Sequence, residues 1–476
     1  MSDERFDREL RSTLRDLAAE PAPDRLVQRV ASIPANEAAV APWRSVMRVA
    51  SVLATAAVVS LAIGLAVIVR PGGGPPNATG PGAGVSPSPS SPASSAPTAS
   101  SGPIASSRPA ASAAPAPSLA PPTAAAVPAG GPVPAGLQVF SVTFASPDLG
   151  WALGTAPCAS APCTSLVRTA DGGRSWVGIP APRTPIVPAT TGSAAGAGSG
   201  VSGVRFADPR DGWVYGPDLW ATHDGGSSWQ RQVIPGAPSA SVVALEASGG
   251  TVHAVLFDFG DGLVHLASSP VESNSWRLSG ATVPIGAGPV PAAQLALSGT
   301  SGWLLEVDRT VVGGARLSTG AWAAWVPPCA TLVGPAVLGG SSATELAAAC
   351  DVGLWGSPQG VRLYVSHDGG TTFSQSGPRI PVGGVVSIAS PTASSILVAG
   401  PTAQGSAVVR SSDGGRTWQT ALETGNAMIT YLGFTTPAQG VVLTVAPAGP
   451  GASVGGSLLI TRDGGHTWAQ VTIAGP

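Results

Sequence analysis

Thr461-Arg462-Asp463-Gly464-Gly465-His466-Thr467-Trp468 is the stretch whose reading decides the fold. Four further stretches match it: Thr169-Ala170-Asp171-Gly172-Gly173-Arg174-Ser175-Trp176, Thr222-His223-Asp224-Gly225-Gly226-Ser227-Ser228-Trp229, Ser366-His367-Asp368-Gly369-Gly370-Thr371-Thr372-Phe373 and Ser411-Ser412-Asp413-Gly414-Gly415-Arg416-Thr417-Trp418. The shared pattern is [ST]-x-D-G-G-x-[ST]-[WF]. A motif that returns at a near-constant interval describes a repeated supersecondary unit, so it speaks to architecture before any single residue does. Each copy lies between apolar or alternating runs, as a hairpin turn does. The Asp carboxylate can accept backbone N–H bonds from the turn that follows it. The Gly pair supplies the positive φ of a tight reversal. The closing aromatic begins the next strand and is expected to point into a core. This account is structural and needs no ligand.

A second element precedes the first. It reads Phe144-Ala145-Ser146-Pro147-Asp148-Leu149-Gly150-Trp151 and then Phe206-Ala207-Asp208-Pro209-Arg210-Asp211-Gly212-Trp213, with weaker echoes at Gly302-Trp303 and at Phe434 to Val441. One unit is therefore strand, turn, Gly-Trp strand, strand, Asp-Gly-Gly turn, aromatic strand. Four short strands per unit make one propeller blade. Between Trp229 and Phe373, Ser273-Asn274-Ser275-Trp276 and Ser318-Thr319-Gly320-Ala321-Trp322 mark two units without the Asp-Gly-Gly turn. The seven closing aromatics, Trp176, Trp229, Trp276, Trp322, Phe373, Trp418 and Trp468, are then 53, 47, 46, 51, 45 and 50 residues apart. That regularity predicts an all-β, seven-bladed propeller over 136–476.

The eight-residue motif is identified as an Asp box, or BNR repeat. Together with the Phe…Gly-Trp element it closely resembles the seven-bladed photosystem II assembly and stability factors. It is also similar to sortilin-type receptors, sialidases and certain xyloglucan-cleaving glycosidases. The resemblance covers about 340 residues and implies the propeller fold. It also implies that Asp171, Asp224, Asp368, Asp413 and Asp463 are structural turns, away from the ligand face.

The rest of the chain bounds the setting. Of its 476 residues, 24 are Lys or Arg, every one of them Arg, against 26 Asp or Glu; the net charge of −2 gives no case for a nucleic-acid partner. Residues 49–69 carry no charge and are long enough for one transmembrane helix. Arg44 and Arg48 ahead of them favour a cytoplasmic N-terminus. Residues 1–48 read as a short helical cytoplasmic stub, with Phe6, Leu10, Leu14 and Leu17 at helical spacing. Residues 70–135, rich in Pro, Ser and Ala, read as a disordered spacer. All four cysteines follow that spacer. Cys158 with Cys163 and Cys329 with Cys350 are the natural local disulfides of an oxidising, extracytoplasmic compartment. Neither pair has a His at ligand spacing, so no metal or other cofactor is read.

Motifs for catalysis fall short. Gly198-Ser199-Gly200-Val201-Ser202-Gly203 matches a dinucleotide loop but lies between blades rather than in a βαβ unit. Asp258-Phe259-Gly260 has no other kinase element around it and reads as a hairpin turn. Sialidases carry an Arg-Ile-Pro near the start of their propeller, whose Arg grips the substrate carboxylate. Here Arg379-Ile380-Pro381 follows the third clear Asp box, and no Glu adjoins Tyr215, Tyr364 or Tyr431 in sequence. His253 and His265 stand alone, and no pair of carboxylates is selected as catalytic. The expected function is therefore protein or peptide binding, or assembly scaffolding, on one propeller face. A hydrolase acting on cell-envelope glycan is the alternative.

Overall fold

A computed structural model describes residues 129–161, 163–187, 199–286, 292–353, 360–446 and 456–473. The stub, the apolar run and nearly all of the spacer lie outside these residues. Among the described residues no helix is long and apolar enough to cross a membrane.

The described chain is all-β. Twenty-eight strands form seven four-stranded antiparallel sheets, and each sheet takes its strands in sequence order. The blades span 138–179, 203–232, 241–284, 292–325, 336–380, 387–423 and 428–471. First strands of successive blades abut around a common axis, and fourth strands form the rim. The ring closes where the first strand of blade 1 meets the second and third strands of blade 7, with no strand exchanged between blades.

Seven apolar clusters fill the seven interfaces between blades. Second strands carry most of this burial. They are covered on both faces, so Trp151-Ala152-Leu153 and Leu397-Val398-Ala399 are wholly buried and read as unbroken apolar runs. The seam between blades 7 and 1 is built like the others, from Val139, Ala152 and Trp176 against Val441, Leu458 and Ile460. Gln439 Nε2 also donates to Pro147 O across it at 2.8 Å.

The two recurring sequence elements meet in space. In every Asp-Gly-Gly turn the first Gly N–H donates to a carbonyl of the first-to-second strand turn of the same blade, as Gly172 does to Asp148 and Gly464 to Ala438, at 2.8 Å each. Within the turn, Thr461 Oγ1 donates to Asp463 Oδ1 at 2.8 Å and accepts from Gly465 N–H at 2.9 Å. Asp463 Oδ1 further accepts from the amides of His466 and Thr467, and its Oδ2 from the Thr467 hydroxyl. Both glycines have positive φ, 72° and 84°. The second also has no room for a side chain, since a Cβ on Gly465 would stand 2.5 Å from Leu397 Cδ2 of the preceding blade. The motif thus folds a turn and seats it on its neighbour.

Blades 3 and 4 lack this turn and compensate with longer ladders. Their strands run mostly to seven or eight residues, and a two-residue hairpin at Thr319-Gly320, with φ of 51° and 80°, serves blade 4. The closing aromatics are not equally enclosed. Trp176, Trp276 and Trp322 are buried, while Trp229, Phe373, Trp418 and Trp468 are half-buried.

Candidate functional face and central cavity

The antiparallel meander gives the ring two unlike faces. One gathers the turns between first and second strands and those between third and fourth strands. Asp171, Asp224, Asp368, Asp413 and Asp463 all lie there, each engaged within its own turn. Hydroxyl and amide donors around Asp413, led by Thr417, hold its carboxyl down to about 2. Two histidines of this face are also accounted for. His223 Nδ1 lies 2.5 Å from Asp211 and His367 Nδ1 2.7 Å from Glu345, each acid coming just before the second strand of the same blade.

The opposite face is made of the loops from second to third strand and from one blade to the next. Among the described residues, every exposed large apolar side chain sits at this end of the blades: Val233, Phe259, Val312, Val326, Val333, Val386 and Met428. Val326 is 80% exposed and Phe259 51%. Val326 and Val333 share the loop from blade 4 to blade 5, which Cys329 ties to Cys350 in the second strand of blade 5. The Cys158–Cys163 pair closes a loop of blade 1 on the same face. Exposed apolar groups of this kind mark interaction surfaces when they gather rather than scatter.

A cavity of about 610 Å³ runs along the axis between the first strands. Its charged residues come from two adjacent blades. Arg205 of blade 2 lies 2.5 Å from Glu246 of blade 3 and donates to Thr143 Oγ1 of blade 1 at 3.3 Å. The hydroxyls of Tyr215 and of Tyr431, from blade 7, face the same guanidinium. The ring encloses this group, yet the side chains of Arg205 and Glu246 keep 18% and 29% exposure because the cavity is open to water. Burial opposes charge on Arg205, but Glu246 and the phenols outweigh it and the guanidinium stays charged. Burial raises the Glu246 carboxyl despite Arg205, and burial also pushes the Tyr215 phenol up to about 12. The juxtaposition of a glutamate with two tyrosines has no trace in local sequence, since it depends on closing the ring.

Arg379-Ile380-Pro381 lies elsewhere. Arg379 and Pro381 line a separate open groove of about 710 Å³ beside blade 6, with Gln404 and Glu423, so this arginine does not share a cavity with a tyrosine. Of the two histidines with no sequence neighbours, His253 is a core residue. It accepts from Trp322 Nε1 at 3.3 Å, and burial pushes it down to about 4. His265 lies 2.8 Å from Asp261 and is not isolated.

No family model matches the chain, and no curated protein matches it. Solved structures do. One described as YCF48 bound to D1 peptide is 18% identical, with a TM-score of 0.48, over 69% of this chain and 95% of the other. YCF48 from Cyanidioschyzon merolae is 16% identical, with a TM-score of 0.47, over 70% and 98%. The GH74 enzyme of Niastella koreensis is 13% identical, with a TM-score of 0.23, over 70% and 71%.

Proposed function

We propose that this propeller is a binding or assembly-scaffold module that takes a protein or peptide on the face opposite the Asp-Gly-Gly turns. The observation that carries this reading is the sidedness of the exposed apolar residues. They all lie at the end of the blades whose loops vary in length and include both disulfides, while the other face is closed by repeated turn hydrogen bonds. Loops held by a rigid scaffold are the usual place for recognition. The axial cavity supports binding over hydrolysis. Glycoside hydrolysis uses two carboxylates roughly 5–10 Å apart. Among the described residues lining this cavity, Glu246 is the one carboxylate, and it is engaged by Arg205. A phenol raised to about 12 is also not primed as a nucleophile. The apolar run at 49–69 would hold the module at a membrane, with the propeller extracytoplasmic on a Pro/Ser/Ala spacer and the N-terminus inside.

A photoreactive residue placed at Val326 tests the reading against one placed at Arg416 on the turn face. A discrete envelope protein should be labelled from position 326, be displaced by unlabelled protein, and not be labelled from position 416. Equal labelling from both positions would refute the assigned face. Glycan cleavage abolished by Glu246→Gln would install the hydrolase in its place.

A further inference from the structure

We propose that Asp258, Asp261 and His265 form a binding site for a divalent transition-metal ion of the Zn²⁺ class. One ligand atom from each of the three lies within 4.8 Å of the other two. Tetrahedral ligands at about 2.0–2.2 Å from Zn²⁺ stand roughly 3.3–3.5 Å from one another, so small side-chain rotations close the set. The grouping follows from strand register and not from crowding of acids alone. Asp258 ends the second strand of blade 3 opposite Leu263, and His265 pairs with Leu256. The two are therefore diagonal neighbours on one face of the sheet. Asp261, in the turn between them, closes the triangle through His265 Nε2 at 2.8 Å.

The turn also orients the carboxylates. Asp258 Oδ1 accepts from Gly260 N–H at 2.8 Å and Asp261 Oδ1 from Leu263 N–H at 2.9 Å. Asp258 leaves its second oxygen for a further partner, while the second oxygen of Asp261 already faces His265 Nε2, a contact that a shared ion would replace. One imidazole and two carboxylates suit Zn²⁺, Ni²⁺ or Cu²⁺. They are too few oxygens for Ca²⁺, which takes about 6–8. The ion would use the Nε2 lone pair, and the imidazole proton would reside on Nδ1. Three protein ligands leave a coordination position open to solvent, on the side where Asp261 is 43% exposed. The site stands independently of what the apolar face binds.

Zn²⁺ titration of the full chain against a chromophoric chelator tests this, with Cu²⁺ electron paramagnetic resonance as a second reading. One equivalent should bind, and His265→Gln and Asp258→Asn should each weaken it at least about tenfold. His367→Gln, which removes a histidine–carboxylate pair on the other face, should leave it unchanged. The Cu²⁺ spectrum of the unsubstituted chain should show coupling to one imidazole nitrogen, lost in His265→Gln. Unchanged Zn²⁺ affinity in His265→Gln, or a Cu²⁺ spectrum of the unsubstituted chain without bound nitrogen, would overturn the site.

Discussion

Glu306 is the residue whose replacement is expected to say most about the balance of forces in this ring. It lies in the second strand of blade 4 with no exposed surface, beside Asp308 on the same face of the strand. Gly286 N–H reaches its Oε1 at 3.3 Å, and its Oε2 has no partner among the described residues. Burial pushes its carboxyl up from 4.5 to about 8, with Gly286 opposing and Asp308 adding to the rise. A raised value means that the folded chain holds this proton more tightly than the unfolded chain. The residue therefore costs nothing below pH 4.5, costs progressively more as the pH rises to about 8, and adds no further cost above that. At 1.36 kcal/mol per pH decade, the loss between pH 4.5 and pH 7 is about 3 kcal/mol. Glu306→Gln keeps the shape and the acceptor for Gly286 but cannot ionise. Denaturant unfolding of both proteins across pH 4–9 measures the effect. The stability of Glu306→Gln minus that of the native chain should climb by about 3 kcal/mol from pH 4.5 to 7 and flatten above pH 8. Taking the difference removes every other titration and the constant cost of the unpaired amide. Parallel curves would refute the reasoning and show that Glu306 ionises in the folded state with no penalty.

Thr461→Val should cost about 1–3 kcal/mol, read as a lower denaturant midpoint, because it leaves the buried Gly465 N–H without its acceptor. A neutral result would mean that the Asp463 carboxylate alone holds the turn. Asp413, held down to about 2 by its hydroxyl and amide donors, stays ionised as the pH falls, so its contribution is present above the ordinary carboxylate range and lost between about pH 4 and 2. Acid unfolding followed by circular dichroism should shift to higher pH in Asp413→Asn, and an unshifted midpoint would count against it. Alkylation of freshly isolated protein without reductant should find no free thiol. Under graded reduction Cys158–Cys163, in an exposed loop, should open before Cys329–Cys350, whose Cys350 is fully buried, and the reverse order would contradict the assigned burial.

Much of this architecture is written locally. The Asp-Gly-Gly turn is legible because every bond that makes it lies within five residues, and the blade is legible because its four strands are consecutive. Even blades 3 and 4, which lost the turn, are counted by their aromatics, since a blade needs about the same length of chain to cross the ring four times. The pairing of the first-to-second strand turn with the Asp-Gly-Gly turn is implied by their order, and one hydrogen bond in each of the five blades that carry the latter realises it. The groups with chemical interest are of another kind. Arg205, Glu246 and Tyr431 come from blades 2, 3 and 7, and they meet only because closing the ring brings first strands to one axis. Glu306 looks in sequence like one of two acids ending an apolar strand, and its proton affinity comes chiefly from blade packing that excludes water. Asp258 and His265 are neighbours through strand register across a hairpin. Sidedness arises in the same way. Nothing in Val233, Phe259 or Val326 marks them as companions until the meander sends every Asp-Gly-Gly turn to one end and every loop that carries these residues to the other. Local hydrogen bonding is encoded within a few residues, whereas burial, charge pairing and surface continuity depend on distant segments, which only the closed ring sets side by side.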